Sequence, residues 1–326
     1  MPATSAASTV RVTQDYGWCR DFCGKIGTGP ELIVVYDAAP GEANRLTVGR
    51  AGRAITISDP GATVGVVPPC VALDAHTASC DGGKATDVGS DGASLRLGDG
   101  DDLAMIGADV QVHAVLQGGE GEDTLRSAQP GDDFDGGPGA DRIDAMVGDA
   151  TLSFRGRRSG VTVDLAAGRT SEGDVINGIA AVFGGHGRDR LLGGPGGEAL
   201  LGFEGADTLR GRGGRDTLFG GAGPDLLLGG RGSDSLIGGG GADRVVGSPG
   251  PDALNGAPAT ITSPPSTALA TRSCVAAGAT APGSMRKTAC ALAKTYVAVA
   301  ILRRVDQAFP HSSAAHSLTP RRTAIA

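Results

Sequence analysis

From Gly184 to Asn255 the chain reads in nines: GGHGRDRLL, GGPGGEALL, GFEGADTLR, GRGGRDTLF, GGAGPDLLL, GGRGSDSLI, GGGGADRVV and GSPGPDALN. These eight units follow one another without a gap, and a fixed period constrains the fold more than composition can. Position six holds Asp189, Glu198, Asp207, Asp216, Asp225, Asp234, Asp243 and Asp252. Position eight holds Leu191, Leu200, Leu209, Leu218, Leu227, Leu236, Val245 and Leu254. A second block upstream keeps the frame. GGEGEDTLR (118–126) and GGPGADRID (136–144) match fully, with Asp123 and Asp141 at six; SAQPGDDFD between them carries Asp132 at six and Phe134 at eight. AMVGDATLS (145–153) keeps Leu152 but has Ala150 where the acid belongs, and LGDGDDLAM (97–105) is a weaker copy with Asp102 at six. A flexible Gly-rich linker has no reason to set acids and aliphatics at fixed ninth positions.

Each position has a physical task. Glycine at one, two and four permits positive φ and lets main-chain carbonyls turn toward a common centre. Those carbonyls and the acid at six make an all-oxygen shell suited to a hard cation, Ca2+ above all. Positions seven to nine form a short strand whose middle side chain points inward. Two nonapeptides make one coil, so equivalent acids stack at roughly the ~4.8 Å strand spacing. At that distance bare carboxylates repel by roughly 1–3 kcal/mol per pair, and a cation between them reverses the sign. The metal-ligating residues expected on this reading are Asp123, Asp132, Asp141, Asp189, Glu198, Asp207, Asp216, Asp225, Asp234, Asp243 and Asp252. Acids two repeats apart share an ion, with Asp132/Ala150 weak or empty for want of a carboxylate and Glu198 weakened by its extra methylene.

The pattern resembles the RTX (repeats-in-toxin) nonapeptide GGxGxDxUx, where U is a large apolar residue, over residues 97–255. The resemblance implies an all-β, calcium-loaded parallel β-roll in a protein that folds outside the cell. Phe203, Arg212 and Ser248 depart from it, standing where a second glycine belongs. The stretch VALDAHTASCDGGKATDVGSDGASLRLGDGDD also resembles an N-terminal segment of exported RTX-like proteins.

Composition agrees with a solenoid. Glycine accounts for 56 of 326 residues and aromatics for 3%, which excludes a large aromatic-rich core. No apolar run reaches the ~18 residues needed to cross a bilayer as a helix. Residues 1–256 hold 21 basic and 35 acidic residues, whereas the remainder holds eight basic residues against one acid, Asp306. An acidic body disfavours nucleic acid and favours cations. Six cysteines fall in near pairs, Cys19/Cys23, Cys70/Cys80 and Cys274/Cys290, which suits disulfides in an oxidising compartment. No CxxC and no histidine beside the first pair supports zinc. Residues 1–18 contain no apolar run of the kind that heads a signal peptide, so the expected extracellular or cell-surface location rests on the repeats.

Six segments follow. Residues 1–29 are expected to be poorly ordered. Residues 30–117 form a β-rich N-terminal region with strands at 31–37, 45–49, 54–59, 63–67, 94–97 and 109–116. The first repeat block spans 118–153, an interruption with short strands at 161–165 and 174–183 spans 154–183, and the main roll spans 184–256. Residues 257–326 are a basic low-complexity tail with a helix-forming stretch near 285–307. Catalytic motifs are missing: there is no HExxH, no GxSxG elbow, no P-loop and no EF-hand spacing. The expected function is calcium ion binding by an exported, non-enzymatic protein, the ions serving folding and stability. The alternatives are a secretion module for an enzyme seated in residues 1–117, or a cell-surface binding protein. The sequence names no macromolecular partner.

Overall fold

Stacking by 18 residues is the organising feature. In a computed structural model, residues 7–15, 31–52, 54–68, 70–80, 92–257, 260–262 and 272–275 are described, and all their regular structure is β. Leu191, Leu209, Leu227 and Val245 lie in register on successive parallel strands of one sheet. Leu200, Leu218, Leu236 and Leu254 do the same in the other. Each step spans two nonapeptides, so one coil is two repeats, as the period requires. All eight side chains are buried to 1% exposure or less, and the two ladders form a narrow core between the sheets. The result is an all-β solenoid of a 13-stranded and a 15-stranded sheet, mostly parallel and consistent with a β-roll.

Most strands of the main block are longer than the expected three residues, which Arg190–Leu192 and Arg244–Val246 keep. Ala199–Glu204, Thr208–Gly213, Thr217–Ala222, Leu226–Arg231 and Ser235–Gly240 run six residues, through position three of the next repeat. The reason is that position two pairs as well: Arg212 stands opposite Gly230, and Gly221 opposite Gly239.

Both sheets continue into the N-terminal region. Glu31–Asp37 pairs in parallel with Gly92–Asp99, and Gly92–Asp99 with His113–Glu120; Arg45–Ala51 pairs in parallel with Leu103–Ile106. Ser8–Asp15 corrects the expectation of poor order across residues 1–29: its alternating STVRVTQD forms a strand antiparallel to Glu31–Asp37, with Val10 fully buried. The strand expected at 109–116 begins at His113, because Gln111 has φ 51° and ends the extended run before it. Antiparallel pairing of Arg45–Ala51, Ala54–Ser58 and Thr77–Cys80 closes this end of the 15-stranded sheet. Cys70 and Cys80 are disulfide-bonded, which staples the intervening loop. Residues 16–30, the side chains of the other two cysteine pairs and the stretch 285–307 lie outside the described residues.

The interruption at 154–183 is absorbed unequally. In the 13-stranded sheet Ala150–Ser153 pairs directly with Ile179–Phe183. In the other sheet Thr162–Asp164, Arg169–Thr170 and Val175–Asn177 fold back on one another antiparallel between two parallel neighbours. The expected strand at 174–183 is thereby split at Gly178, φ 73°.

From Phe203 onward positions two and four carry the positive φ values, as at Gly221 (114°) and Gly223 (128°). Phe203, Arg212 and Ser248 adopt 73°, 75° and 71° at position two, a left-handed conformation that costs a non-glycine residue roughly 1–2 kcal/mol. Two of them hold the interruption in place. Arg212 makes paired hydrogen bonds to Asp164 at 2.7 and 2.8 Å. The Phe203 ring meets Phe183 edge-on at 5.7 Å and lies under the Arg155 guanidinium at 4.9 Å. Replacing Ser248 with glycine is therefore expected to stabilise the protein by about 1 kcal/mol in chemical denaturation. Arg212→Gly and Phe203→Gly gain nothing, because the relieved strain is offset by lost contacts to 154–183. Equal stabilisation by all three would dismiss the clasp.

Candidate metal centre

The acids at position six are set by one repeating hydrogen bond. The backbone N–H of each donates to Oδ1 of the acid 18 residues later: Asp189 to Asp207, Asp207 to Asp225 and Asp225 to Asp243 at 2.8–3.1 Å. On the opposite edge Glu198 donates to Asp216, Asp216 to Asp234 and Asp234 to Asp252 at 2.9–3.0 Å. Upstream, Asp123 donates to Asp141 at 2.9 Å. The sequence-derived acids thus form two rows, one along each edge of the main block.

That bond uses one carboxylate oxygen and leaves the other. Oδ2 of Asp123, Asp141, Asp207, Asp216, Asp225, Asp234, Asp243 and Asp252, and Oε2 of Glu198, are buried with no hydrogen-bond donor. A bare buried carboxylate oxygen is costly, so its recurrence at one position singles out a candidate cation site. Position one shows where. A Cβ added to Gly202 would lie 2.2 Å from Asp207 Oδ2 and 2.6 Å from the Gly220 carbonyl oxygen; at Gly211 the distances are 2.1 Å to Asp216 Oδ2 and 2.5 Å to the Gly229 oxygen. These glycines do not have positive φ, which corrects the reason given for position one: glycine is needed there for room. Each cradle lies between a carboxylate and a main-chain carbonyl one coil along. No group of three or more His, Cys, Asp or Glu side chains converges among the described residues, so main-chain oxygens must complete any shell. An oxygen-only, part-backbone donor set fits a hard divalent cation.

The remaining predicted residues differ in detail. Glu198 has the same bare oxygen, but a Cβ at Gly193 would be 3.0 Å from it, farther than in the aspartate cradles. Asp189 has both oxygens engaged, by Val161 N–H at 2.9 Å and Gly185 N–H at 2.7 Å. Asp132 likewise accepts from Ala114 N–H at 2.8 Å and from the Ser127 hydroxyl.

Other members of the rows escaped the period. Asp102 donates its N–H to Asp123 and keeps a bare Oδ2; its weak repeat was visible, but position one there is Leu97. Asp174, 33 residues after Asp141, accepts the Asp141 N–H at 3.0 Å and so takes position six across the interruption. Asn44 heads the same row, donating its N–H to Asp102 Oδ1 at 2.6 Å. Separations of 33 and 58 residues carry no nine-residue signal. At the interruption the Arg157 guanidinium donates to the Gly137 carbonyl and lies 3.0 Å from Glu172.

Burial raises these carboxyls, and neighbouring carboxylates add to the effect. Asp141 and Asp207 are pushed up to about 7 and Asp225 to about 6; Asp216, Asp234, Asp243 and Asp252 move the same way. The folded metal-free chain therefore binds more protons than the unfolded one. Its stability is fully present below the unfolded value near ~4 and is lost as pH rises through 6–7. In chelator, far-UV circular dichroism is expected to show more β-signal at pH 5 than at pH 8. A β-signal that grows with pH over this range would contradict bare, buried carboxylates.

Residues 115–143, 201–236 and 219–254 match the RTX calcium-binding nonapeptide repeat, in 4 copies. No curated protein matches the chain. The repeats support calcium binding.

Proposed function

We propose that this chain, a carrier of RTX calcium-binding nonapeptide repeats, takes up Ca2+ along both edges of its solenoid and folds its main block by doing so. The observation that carries the reading is the buried, donorless Oδ2 at position six, aimed into a glycine-lined cradle that a carbonyl closes from the next coil. Asp123 and Asp141 upstream, and Glu198, Asp207, Asp216, Asp225, Asp234, Asp243 and Asp252 in the main block, are the proposed ligands. Asp132 and Asp189, whose oxygens all accept protein donors, belong to the same rows by position.

What the ion supplies is positive charge between stacked carboxylates. What the chain supplies is fixed geometry: the position-six N–H locks one oxygen, and glycine at one keeps the space clear. Glycine at four turns the backbone. Without the ion, each coil must bury carboxylates against their mutual repulsion and order a glycine-rich chain whose backbone entropy is high. Residues 184–255 are then largely unfolded. Such coupling suits a protein that leaves the cell unfolded and meets millimolar calcium outside, where weak extracellular calcium modules operate. An extracellular or cell-surface location follows from this reading, together with a structural and not a catalytic role for the ions.

A calcium titration followed by far-UV circular dichroism tests the proposal: β-signal should grow with calcium and collapse in chelator. An unchanged spectrum in chelator would remove it. Stoichiometry tests the sharing of ions between alternate repeats. Asp216 stands between Glu198 and Asp234 and touches two sites, whereas Asp252, at the end of its row, touches one. Isothermal titration should show Asp216→Asn losing up to two ions and Asp252→Asn at most one. Equal losses would mean that each acid holds its own ion.

A further inference from the structure

Not every coil leaves an oxygen bare. At Asn44 the side-chain amide takes the place of the second carboxylate oxygen, and its Nδ2 donates to the Leu97 carbonyl at 3.0 Å, the Glu42 carbonyl at 3.1 Å and Asp102 Oδ1 at 3.0 Å. Leu97 is position one of the following repeat, so this is the carbonyl that faces the cradle in the glycine coils. The Leu97 oxygen, the counterpart of the carbonyl that faces the cradle in the glycine coils, here faces an N–H2 group instead. The Asn44 oxygen is itself met by the Tyr36 hydroxyl at 2.9 Å. At Asp132 the second oxygen is met by the hydroxyl of Ser127, which stands at position one of that repeat. At Asp174 it is met by the Thr170 hydroxyl at 2.6 Å. Asn44, Asp132 and Asp174 are all fully or almost fully buried, so these donors are not competing with water.

The distribution is uneven. From Glu198 to Asp252 both edges carry bare oxygens at every coil, and no side-chain donor reaches them. Upstream of the interruption, bare oxygens run along one edge only, at Asp102, Asp123 and Asp141; the other edge is closed by Ser127 on Asp132 and lacks an acid at Ala150. The upstream half also holds the larger buried side chains, including Tyr36, Ile57, Ile106, Phe134 and Ile143, and the Cys70–Cys80 bond.

We infer that Asn44 Nδ2, Ser127 Oγ and Thr170 Oγ1 are hydrogen-bond donors placed where the repeat elsewhere requires an ion, so that the upstream half, whose remaining bare oxygens at Asp102, Asp123 and Asp141 lie along one edge only, stays folded in chelator and templates the ion-dependent coils from Glu198 onward. The inference rests on the calcium reading above for the downstream coils. Physically, a donor N–H or O–H neutralises a lone pair permanently, whereas an ion does so only above its dissociation constant. A solenoid grows by adding coils to an existing edge, and nearest-neighbour contact with a folded coil lowers the cost of ordering the next. A preformed upstream edge removes the nucleation step from calcium-driven folding, leaving propagation. Ile179–Phe183, the last upstream strand of the 13-stranded sheet, presents its open side to Ala199–Glu204 and is where the first ion-dependent strand docks.

Amide hydrogen exchange on the full chain tests this directly. In chelator, amides in Arg45–Ala51, Gly92–Asp99, His113–Glu120 and Ile179–Phe183 should stay protected while those in Ala199–Glu204 through Ser235–Gly240 exchange freely; calcium should then protect the second group. Loss of both groups together in chelator overturns the inference and leaves the calcium reading intact. Protection of both groups regardless of calcium overturns the calcium reading and this inference with it. A substitution pair makes the donor claim separable from folding in general. Asp225→Asn copies the Asn44 arrangement into the main block, setting an amide against Gly238 O and Asp243 Oδ1. It should bind fewer ions yet gain measurable protection in Thr217–Ala222 and Leu226–Arg231 in chelator where the parent has none, one recovered hydrogen bond shifting the local folding equilibrium by about fivefold. Asp225→Ala, which removes the carboxylate without adding a donor, should bind fewer ions and give no such slowing. Equal exchange in the two variants would show that an amide cannot stand in for the ion and would defeat the proposal.

Discussion

The structure depends on one hydrogen bond repeated at a step of 18 residues: a position-six N–H donating to the position-six carboxylate of the next coil. It does two things at once. It satisfies a backbone donor at a turn where no strand partner is available, and it fixes the carboxylate so that its second oxygen points into the coil, away from water. An acceptor with four lone-pair sites is thereby given one donor and buried. Everything distinctive about the molecule is a response to that remaining oxygen. Glycine at position one clears space beside it. The next coil's carbonyl faces it. At Asp132 and Asp174 a side-chain hydroxyl reaches it instead.

The repeat itself was fully legible. Eight units in frame gave the all-β solenoid, the two-repeat coil and the inward leucine ladder, because a period of nine with one large apolar residue leaves no other way to bury a core. The departures at Phe203, Arg212 and Ser248 were legible as departures, though not their use: that Arg212 reaches Asp164 and Phe203 packs on Phe183 depends on where the interruption folds, which no local pattern states. Position one was misread as a conformational requirement when it is a steric one. The difference is invisible in sequence, since both select glycine. Asn44 and Asp174 were not legible at all. They join the rows across separations of 58 and 33 residues, through strand pairing rather than spacing. Ser127 stood in frame at position one and offered a signal, a hydroxyl where the other full repeats have glycine.

The interruption at 154–183 illustrates how a repeat array tolerates a break. Its two ends must return to the same pair of sheets one coil apart, and it does so by pairing Ala150–Ser153 directly with Ile179–Phe183 on one side. The surplus chain folds antiparallel on the other. Arg157 and Asp174 then occupy the turn row, the first donating to the Gly137 carbonyl and the second accepting the Asp141 N–H. The interruption therefore keeps the hydrogen-bond row running while changing what satisfies it.

Position one and position six have to be read together. A bare acid at six is useful only if the space beside it is open, and an open cradle without an acid holds nothing. Glycine at one accompanies a donorless acid at six for Asp123, Asp141, Glu198 and Asp207 through Asp252. Where position one is Ser127, the acid is met by that residue's own hydroxyl; Asp174, which enters the row from within the interruption, is met by Thr170. Asp189 has glycine at one but borrows the Gly185 N–H, and Asp102 has a bare oxygen but Leu97 at one. These two sit at the boundaries between donor-closed coils and coils with a bare oxygen beside glycine. On the proposed reading the acid alone does not define an ion coil in such an array; the acid, the glycine five residues before it and the lack of a local donor define it jointly. Of the three, only the first two are written in the period, and the third is decided by what the neighbouring turn can reach.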